Sequence, residues 1–445
     1  YHGLKARKLR HILLDSGATI LITHTEMEPE ISLALSSMET KPLVLWVRDA
    51  TGMSSDQRRS AYSWRDVLGT SDASSGLPRA IDQDIATLIY TSGSTGEPKG
   101  IMCSHQNVIS AAKSIIQYLG NHKDDIIINA LPLSFDYGLY QVIMSVMFAG
   151  TLVLEQGFLF PVPLLQRIEQ EKVTGFPLVP TLAAMLIALR NLDKFDFTSL
   201  RYITNTGAAL PVAHIRKLQA TFSGTNLYSM YGLSECKRVS YLPPDELERR
   251  PESVGIPMPN CEAYIVDEAG NEVPPGVTGE LVVRGANVMR GYWNSPELTA
   301  RTFRRDSRTG TTLLHSGDLF RKDDDGYLYF VGRIDDMIKS RSERISPKEI
   351  ENLIFGLEGV LDVAVVPVPD EILGNAIKAF VVAAPEKHLT PADVRKYCAD
   401  NMENYMVPTY VEFVVGLPKN ANGKTDKNRL RATNIDACNA TLAAG

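Results

Sequence analysis

Apolar positions along this chain change their spacing in a way that alternates two kinds of element. Over residues 4–14 they recur every three to four positions, the helical period, and residues 19–23 and 42–47 then give short aliphatic and β-branched runs typical of strands. Residues 50–80 carry Ser, Asp, Gly and Arg with a weak apolar pattern and read as a surface connection. The run 85–89 predicts a strand that delivers a Gly/Ser/Thr-rich loop, and 107–119 return to helical spacing. Residues 125–129, 172–179 and 201–204 read as strands and 182–189 as a helix. The most membrane-like stretch, 139–154, is interrupted by Gln141 and Gly150-Thr151, and reads as a buried helix turning into a strand at 151–154. Strands alternating with helices predict an α/β sheet covered on both faces.

From about residue 255 the pattern shortens. Segments 263–266 and 279–284, separated by Asp-Glu-Ala-Gly and Pro-Pro-Gly turns, predict a small barrel-like region whose last strand is 328–331. A helix at 347–355, strands at 360–367 and 376–382 and a helix at 391–401 then predict a compact α+β unit, with a loose tail beyond Leu430. A chain of 445 residues exceeds the usual size of a single core. The expected division is a large domain over 1–332, with 255–332 its barrel-like part, and a small domain over 333–445.

A formal charge of −6 with no dense basic stripe excludes a nucleic-acid scaffold. The five cysteines, at 103, 236, 261, 398 and 438, form no CxxC pair, which argues against a disulfide framework or structural zinc and for a reducing, cytoplasmic setting. No stretch predicts a transmembrane anchor.

Chemistry concentrates in a few segments. Tyr90-Thr91-Ser92-Gly93-Ser94-Thr95-Gly96-Glu97-Pro98-Lys99-Gly100 combines glycines, hydroxyls and a lysine directly after an apolar strand. Glycines admit an anion to the backbone, N–H and hydroxyl groups donate to it, and Lys99 adds charge, so a nucleotide polyphosphate is the natural guest. The spacing is not that of a Walker A loop. Tyr228-Ser229-Met230-Tyr231-Gly232-Leu233-Ser234-Glu235 reads as a strand end, a glycine turn and a carboxylate; His315-Ser316-Gly317-Asp318 reads as an acid after a glycine turn.

In this order these segments resemble the adenylate-forming superfamily of acyl-CoA synthetases, luciferases and peptide-synthetase adenylation domains, and nearly the whole chain follows the pattern. The resemblance implies an α/β adenylate-forming fold with a mobile α+β C-terminal domain, and MgATP as cosubstrate. It implies that Thr91, Ser92, Gly93, Ser94, Thr95, Gly96 and Lys99 hold phosphates, with Thr95 in a catalytic role. Gly207 and Ala208, in Asn205-Thr206-Gly207-Ala208-Ala209-Leu210, line adenine and the acyl pocket, although Ala209 stands where proline is frequent. By the same resemblance Tyr231 would stack on adenine, Ser234, in place of threonine, would donate to phosphate, and Glu235 would ligate Mg²⁺. Asp318 accepts the ribose hydroxyls, and Arg333 contacts the ribose or α-phosphate side. Lys424, in Gly423-Lys424-Thr425-Asp426-Lys427, bridges carboxylate and α-phosphate as charge moves; Lys427 stands where arginine is common.

Asp335 matches the hinge about which the small domain rotates. Lys339 and Ser342 fall in the loop that lines the pantetheine tunnel, and Ser342 replaces a usual glycine, which narrows that loop's backbone freedom. Phe135 resembles an aromatic gate beside the incoming carboxylate. Asp136 falls where amino-acid-activating domains pair an aspartate with the substrate ammonium. An alternative places it as a structural acid at the start of the following helix, and that placement leaves the pocket to uncharged acyl chains.

The implied activity is AMP-forming ligation of a small carboxylic acid to the thiol of CoA or of a carrier protein's phosphopantetheine. An amino-acid adenylating enzyme loading a free-standing carrier and a non-catalytic AMP- or acyl-binding homologue stand as alternatives. In the superfamily a helix like that at residues 4–14 follows a sizeable preceding portion, so the sequence reads as lacking that part.

Overall fold

The computed structural model describes residues 4–47, 61–63, 67, 69, 79–92, 97–158, 160–189, 192–306, 309–340, 343–370, 374–385, 387–419 and 425–432. Helix α1 (Ala6–Ser16) buries Ala6, Leu9 and Leu13, its helical-period stripe, and stops at Gly17 in the left-handed conformation. With α2 (Glu28–Ser36) it packs on a parallel sheet of β1 (Ile20–Thr23), β2 (Leu43–Trp46) and β3 (Ala61–Ser63). An antiparallel hairpin follows, β4 (Ile85–Ser92) with β5 (Pro98–Ser104). The strand read at 85–89 thus runs on to Ser92, and Thr91 stands opposite Lys99. A reciprocal Ser104/Asn107 capping box starts α3 (His105–Leu119), two residues ahead of its apolar spacing.

The central sheet has seven strands: β6 (Ile126–Asn129), β7 (Thr151–Leu154), β8 (Gly175–Leu178), β9 (Tyr202–Asn205), β10 (Asn226–Tyr231), β11 (Ser240–Tyr241) and β12 (Ile256–Pro257). Their order is β12-β11-β10-β9-β8-β6-β7, parallel from β10 to β7 and antiparallel at β11 and β12. The intervening helices are α4 (Asp136–Met147), α5 (Pro161–Gln170), α6 (Pro180–Ile187) and α7 (Val212–Thr221). Adjacent strand residues go to opposite cores: Ile128 and Ile203 join α5, α6 and α7, whereas Ile127 and Tyr202 join α3 and α4. Winding reverses at β6, which the chain leaves on one side for β7 and flanks on the other with β8. Carboxyl ends at such a reversal leave a crevice. The segments leaving β6, β9 and β10 at that end carry Phe135 and Asp136, Gly207, and Gly232 to Lys237.

The next sheet is antiparallel: β13 (Cys261–Val266), β14 (Gly279–Gly285), β15 (Phe303–Arg305), β16 (Thr312–Lys322) and β17 (Leu328–Arg333), with α8 (Pro296–Thr302) leading into β15. The 11-residue β16 pairs with β14 on one edge. On the other it takes β15 against Thr312–Leu314 and β17 against Asp318–Lys322. Sharing one edge between two short strands leaves the sheet four strands wide, and no ladder among the described residues closes it into a barrel. The His-Ser-Gly-Asp segment, read as following a turn, lies inside β16; Gly317 bends the strand with φ 70° where the pairing passes from β15 to β17.

Beyond β17 come the hairpin β18 (Ile338–Ser340) and β19 (Glu343–Ile345), helices α9 (Pro347–Phe355) and α10 (Pro391–Asn401), and the sheet β20 (Val360–Asp370), β21 (Gly374–Ala383), β22 (Tyr410–Phe413). They share a core of their own around Ile350, Val365, Val381 and Val394. Both helices keep the bounds read from the sequence, because proline opens each one behind a capping Ser346 or Thr390. Ser346 also donates from Oγ to the Val331 carbonyl (2.5 Å), tying this unit to β17.

One buried carboxylate anchors the start of β6. Asp125 is fully buried and accepts from Arg201 Nε (2.9 Å) and Nη2 (2.6 Å), Asn121 Nδ2 (3.0 Å), Thr174 Oγ1 (2.8 Å) and the His122 N–H (3.1 Å). Burial pushes its pKa up, but these donors outweigh burial and hold it at about 2. A carboxyl lowered on folding stabilises above its unfolded pKa, about 3.9, and loses that contribution as pH falls through the folded value. We expect Asp125→Ala to lower unfolding free energy by about 2–4 kcal/mol at pH 7, measured by urea denaturation. The gap from wild type should narrow progressively below pH 4.

Candidate active site

Tyr231 ends β10 with its ring edge-on to Phe320 (centroids 4.8 Å) and roughly parallel to Phe330 (6.3 Å). Its hydroxyl donates to Asp318 Oδ2 at 2.5 Å. Burial pushes this phenol well above its usual pKa, and the Asp318 charge adds to the effect, so the hydroxyl stays a donor. Asp318 on β16 stands opposite Arg333 on β17, with Nε 3.6 Å from Oδ1 and the guanidinium half-exposed. An aromatic ring, a carboxylate and an arginine therefore meet where the central and antiparallel sheets adjoin.

The turn after β10 is tightly fixed. A Cβ on Gly232 would lie 2.3 Å from the Lys237 carbonyl, so this position requires glycine. Lys237 N–H bonds back to Leu233 O (2.8 Å), and Asn287 Nδ2 donates to Cys236 O and Arg238 O, both at 2.9 Å. Ser234 is half-buried on this turn. Glu235 accepts from the Tyr292 hydroxyl through Oε1 (2.7 Å), and its carbonyl accepts from Met289 N–H (2.9 Å). Lys99 of β5 lies 6.0 Å from the centroid of the same Tyr292 ring, which brings the hairpin to Glu235. Opposite, Gly207 takes φ 89°, and Asn205 Nδ2 holds the Ala208 carbonyl at 3.0 Å.

Asp136 does not cap its helix. The chain enters α4 through an extended, half-buried Phe135 without a side-chain cap, and the carboxylate turns instead to Lys237, Nζ to Oδ2 3.2 Å. Lys237 is buried to 3% side-chain exposure and lies 4.3 Å from the centroid of the Tyr140 ring. Burial lowers its pKa; burial raises that of Asp136, but the Lys237 charge outweighs it and the net shift is downward. Asp136 is thus the first residue of α4, the acid at the helix start that the alternative reading placed there, and its carboxylate serves the buried lysine rather than a cap. The neighbouring Arg238 donates to Thr206 Oγ1 (2.6 Å) and sits 5.5 Å from the Tyr137 ring centroid.

Direct contacts thus join Tyr231, Asp318 and Arg333, and Tyr292 brings Lys99 and Glu235 together. Thr91 pairs with Lys99, Ser234 lies on the turn after β10, Gly207 and Ala208 follow the end of β9, and Phe135 and Asp136 stand at the crevice beside β6. Asp335 lies in an exposed 3₁₀ turn, Ile334–Asp336, immediately after β17. Gly93, Ser94, Thr95, Gly96, Ser342 and Lys424 lie outside the described residues, as do the side chains of Ser92 and Lys339. Sequence reasoning passed over Tyr292, Lys237 and Arg238. For the last two a signal existed, two cations set between Cys236 and an apolar strand; Tyr292 had none.

The model of the AMP-binding enzyme family matches residues 1–293, and that of its C-terminal domain matches residues 349–424. The chain belongs to the AMP-binding enzyme family. It is 32% identical over 425 residues to a feruloyl-CoA synthase of an Amycolatopsis species, covering 95% of this chain and 81% of that protein. ATP-bound MatB from Rhodopseudomonas palustris superposes with a TM-score of 0.86 at 27% identity, over 97% of this chain and 82% of that one. The anthranilate CoA ligase AuaEII, in complex with anthranoyl-AMP, gives 0.85 at 28% identity, over 97% and 81%. The fold is that of the family, a large α/β region of mixed sheets and a small C-terminal α+β domain. Among the described residues no helix is long and apolar enough to cross a membrane.

Gly232→Ala should push the Tyr231 to Lys237 turn apart. We expect a loss of about 1–3 kcal/mol in stability by chemical denaturation with retained far-UV circular dichroism. A variant as stable as wild type would show that the turn has room.

Proposed function

We propose that this protein uses ATP to convert a small carboxylic acid into its acyl-adenylate, releasing pyrophosphate, and then passes the acyl group to a thiol, releasing AMP, with CoA the leading acceptor and a carrier-protein phosphopantetheine its competitor. Membership of the family supports the ligase chemistry. The observation that carries the site assignment is the Tyr231–Asp318–Arg333 constellation, on a chain whose Lys99 and Glu235 approach the same region. A carboxylate is a natural acceptor for two vicinal ribose hydroxyls, the Tyr231 ring offers a face for a base, and Arg333 is free enough in solvent to turn toward a phosphate.

The carboxylate substrate is its own nucleophile, so the protein's task in the first step is positioning and charge neutralisation. In this reading the loop over 91–99 holds the phosphates through Thr91, Ser92, Ser94, Thr95, backbone N–H groups and Lys99. Ser234 donates to a phosphate oxygen. Glu235, whose Oε1 is oriented by Tyr292, offers one carboxylate to Mg²⁺. Among the described residues no cluster of three or more His, Cys, Asp or Glu stands ready for a metal. One protein carboxylate plus phosphate oxygens and water suits this hard, strongly hydrated ion, which in this chemistry neutralises phosphate charge.

The large domain ends at Gly332 in this proposal, with the antiparallel sheet its last part, and the small domain rotates about Asp335. Lys424 then approaches the reacting carboxylate and α-phosphate for the first step and withdraws for the second, when Lys339 and Ser342 come to the thiol channel.

Carboxylate-dependent exchange of labelled pyrophosphate into ATP tests the first step. Silence across a broad acid panel, with AMP still bound, would leave a nucleotide-binding homologue. We expect Lys424→Ala to slow adenylation about 10²–10³-fold, the scale of one transition-state donor. Thioester formation from supplied acyl-adenylate should slow far less, and equal losses in both steps would assign Lys424 to folding or closure.

A further inference from the structure

We propose that Lys237 determines substrate class: from within the chain it occupies the position of a cationic partner to Asp136, and so restricts the enzyme to carboxylic acids that carry no ammonium group. The inference rests on the ligase reading above and names the acids that it takes.

Asp136 stands at the carboxyl-end crevice beside β6, where the sheet reverses direction and a small ligand fits between the diverging connections. Its carboxylate brings a negative charge to this crevice, and Lys237 Nζ sits 3.2 Å from it. The lysine approaches from the turn that carries Glu235, so both charges are fixed beside the candidate nucleotide site. Three features hold Lys237 in place: its 3% side-chain exposure, the Tyr140 ring 4.3 Å from Nζ, and the Asn287 bonds that pin the backbone on either side of it. Asp136 retains 23% exposure, so of the two it is the one open to a ligand.

The groups around the pair deepen the asymmetry. Arg238 adds a second buried cation, held on Thr206 and above the Tyr137 ring. Cys103 on β5 and Tyr140 on α4 contribute no charge, since burial raises the pKa of both. Glu235 is turned toward Tyr292. A substrate ammonium at Asp136 would therefore meet a carboxylate already neutralised and two buried cations beside it. An acid without an ammonium group meets an ion pair already closed on itself and asks no charge of Asp136. The acids selected are neutral beyond their reacting carboxylate.

The test is pyrophosphate exchange by the full chain with matched sets of acids: linear and aryl-substituted alkanoates, their α- and ω-amino derivatives, and the corresponding dicarboxylates. Wild type should prefer each alkanoate over its amino derivative by about 10²-fold or more in kcat/KM. Lys237→Met frees Asp136 and should narrow that preference at least about tenfold for one amino series, while Lys237→Met with Asp136→Asn should restore it. The isosteric Asp136→Asn, which needs no repacking, leaves Lys237 unpaired and should shift preference about tenfold toward the dicarboxylate. Opposite movements in the two single variants cannot come from loss of stability, which would lower all acids together. A wild type that accepts amino acids as well as their deamino counterparts overturns the proposal. So does an Asp136→Asn variant whose preferences are those of wild type. Wild type inactive with every acid would bring down the ligase reading and this inference with it.

Discussion

Two sheets of unlike construction adjoin in the large region, and the hydrogen bond from Tyr231 to Asp318 joins them at the candidate nucleotide site. Tyr231 belongs to a parallel strand whose partners are buried on both faces. Asp318 belongs to a bent antiparallel strand that has just exchanged one neighbour for another. Neither sheet positions both groups. With the phenol raised in pKa by burial, the hydroxyl remains a donor to a carboxylate that also faces Arg333. Around this contact Gly232 brings the chain back on itself, and Glu235, Lys237 and Arg238 take their directions from that turn.

Much of the fold was legible because apolar spacing and local caps agree. Helices α9 and α10 keep their expected bounds, with a proline and a capping hydroxyl marking each start. The strands β6 and β9 were visible as apolar runs because both faces of the central sheet are buried. Other elements had no such signature. Helix α7, which buries only Ile215 and Leu218, shows a thin stripe, and β11 and β12 are two residues each. The antiparallel sheet was anticipated as strands and turns, but closure depends on which edge each strand finds. That information resides in β16, whose single edge serves two partners.

The site divides along the same line. Tyr231, Glu235, Asp318 and Arg333 lie in short segments whose resemblance to the adenylate-forming superfamily implied nucleotide contacts, and the fold brings them close together. Tyr292 lies in a segment with no such pattern, and its role arises from tertiary contact alone; for Lys237 the sequence showed a cation beside apolar residues but not its partner. Asp136 shows the difference best. Its place before a helix suggested a local explanation, whereas its partner lies 101 positions away along the chain. The local reading placed the acid at the helix start, and long-range charge pairing sets where its carboxylate points, because an unpaired buried lysine is costly.

The ladder between β16 and β17 has a kinematic consequence. Arg333 is the last residue of β17 and pairs in register with Asp318, while the 3₁₀ turn begins one residue later. A swing of the C-terminal unit that starts within Ile334–Asp336 therefore pivots just beyond a point clamped by backbone hydrogen bonds. The Ser346 to Val331 contact would be lost in such a movement, but Asp318 and Arg333 would keep their relative positions. A ligand seated between them and Tyr231 would sense little of where the smaller body points. Its grip on the protein would be mechanically insulated from the proposed rotation, which could then proceed without letting the ligand go.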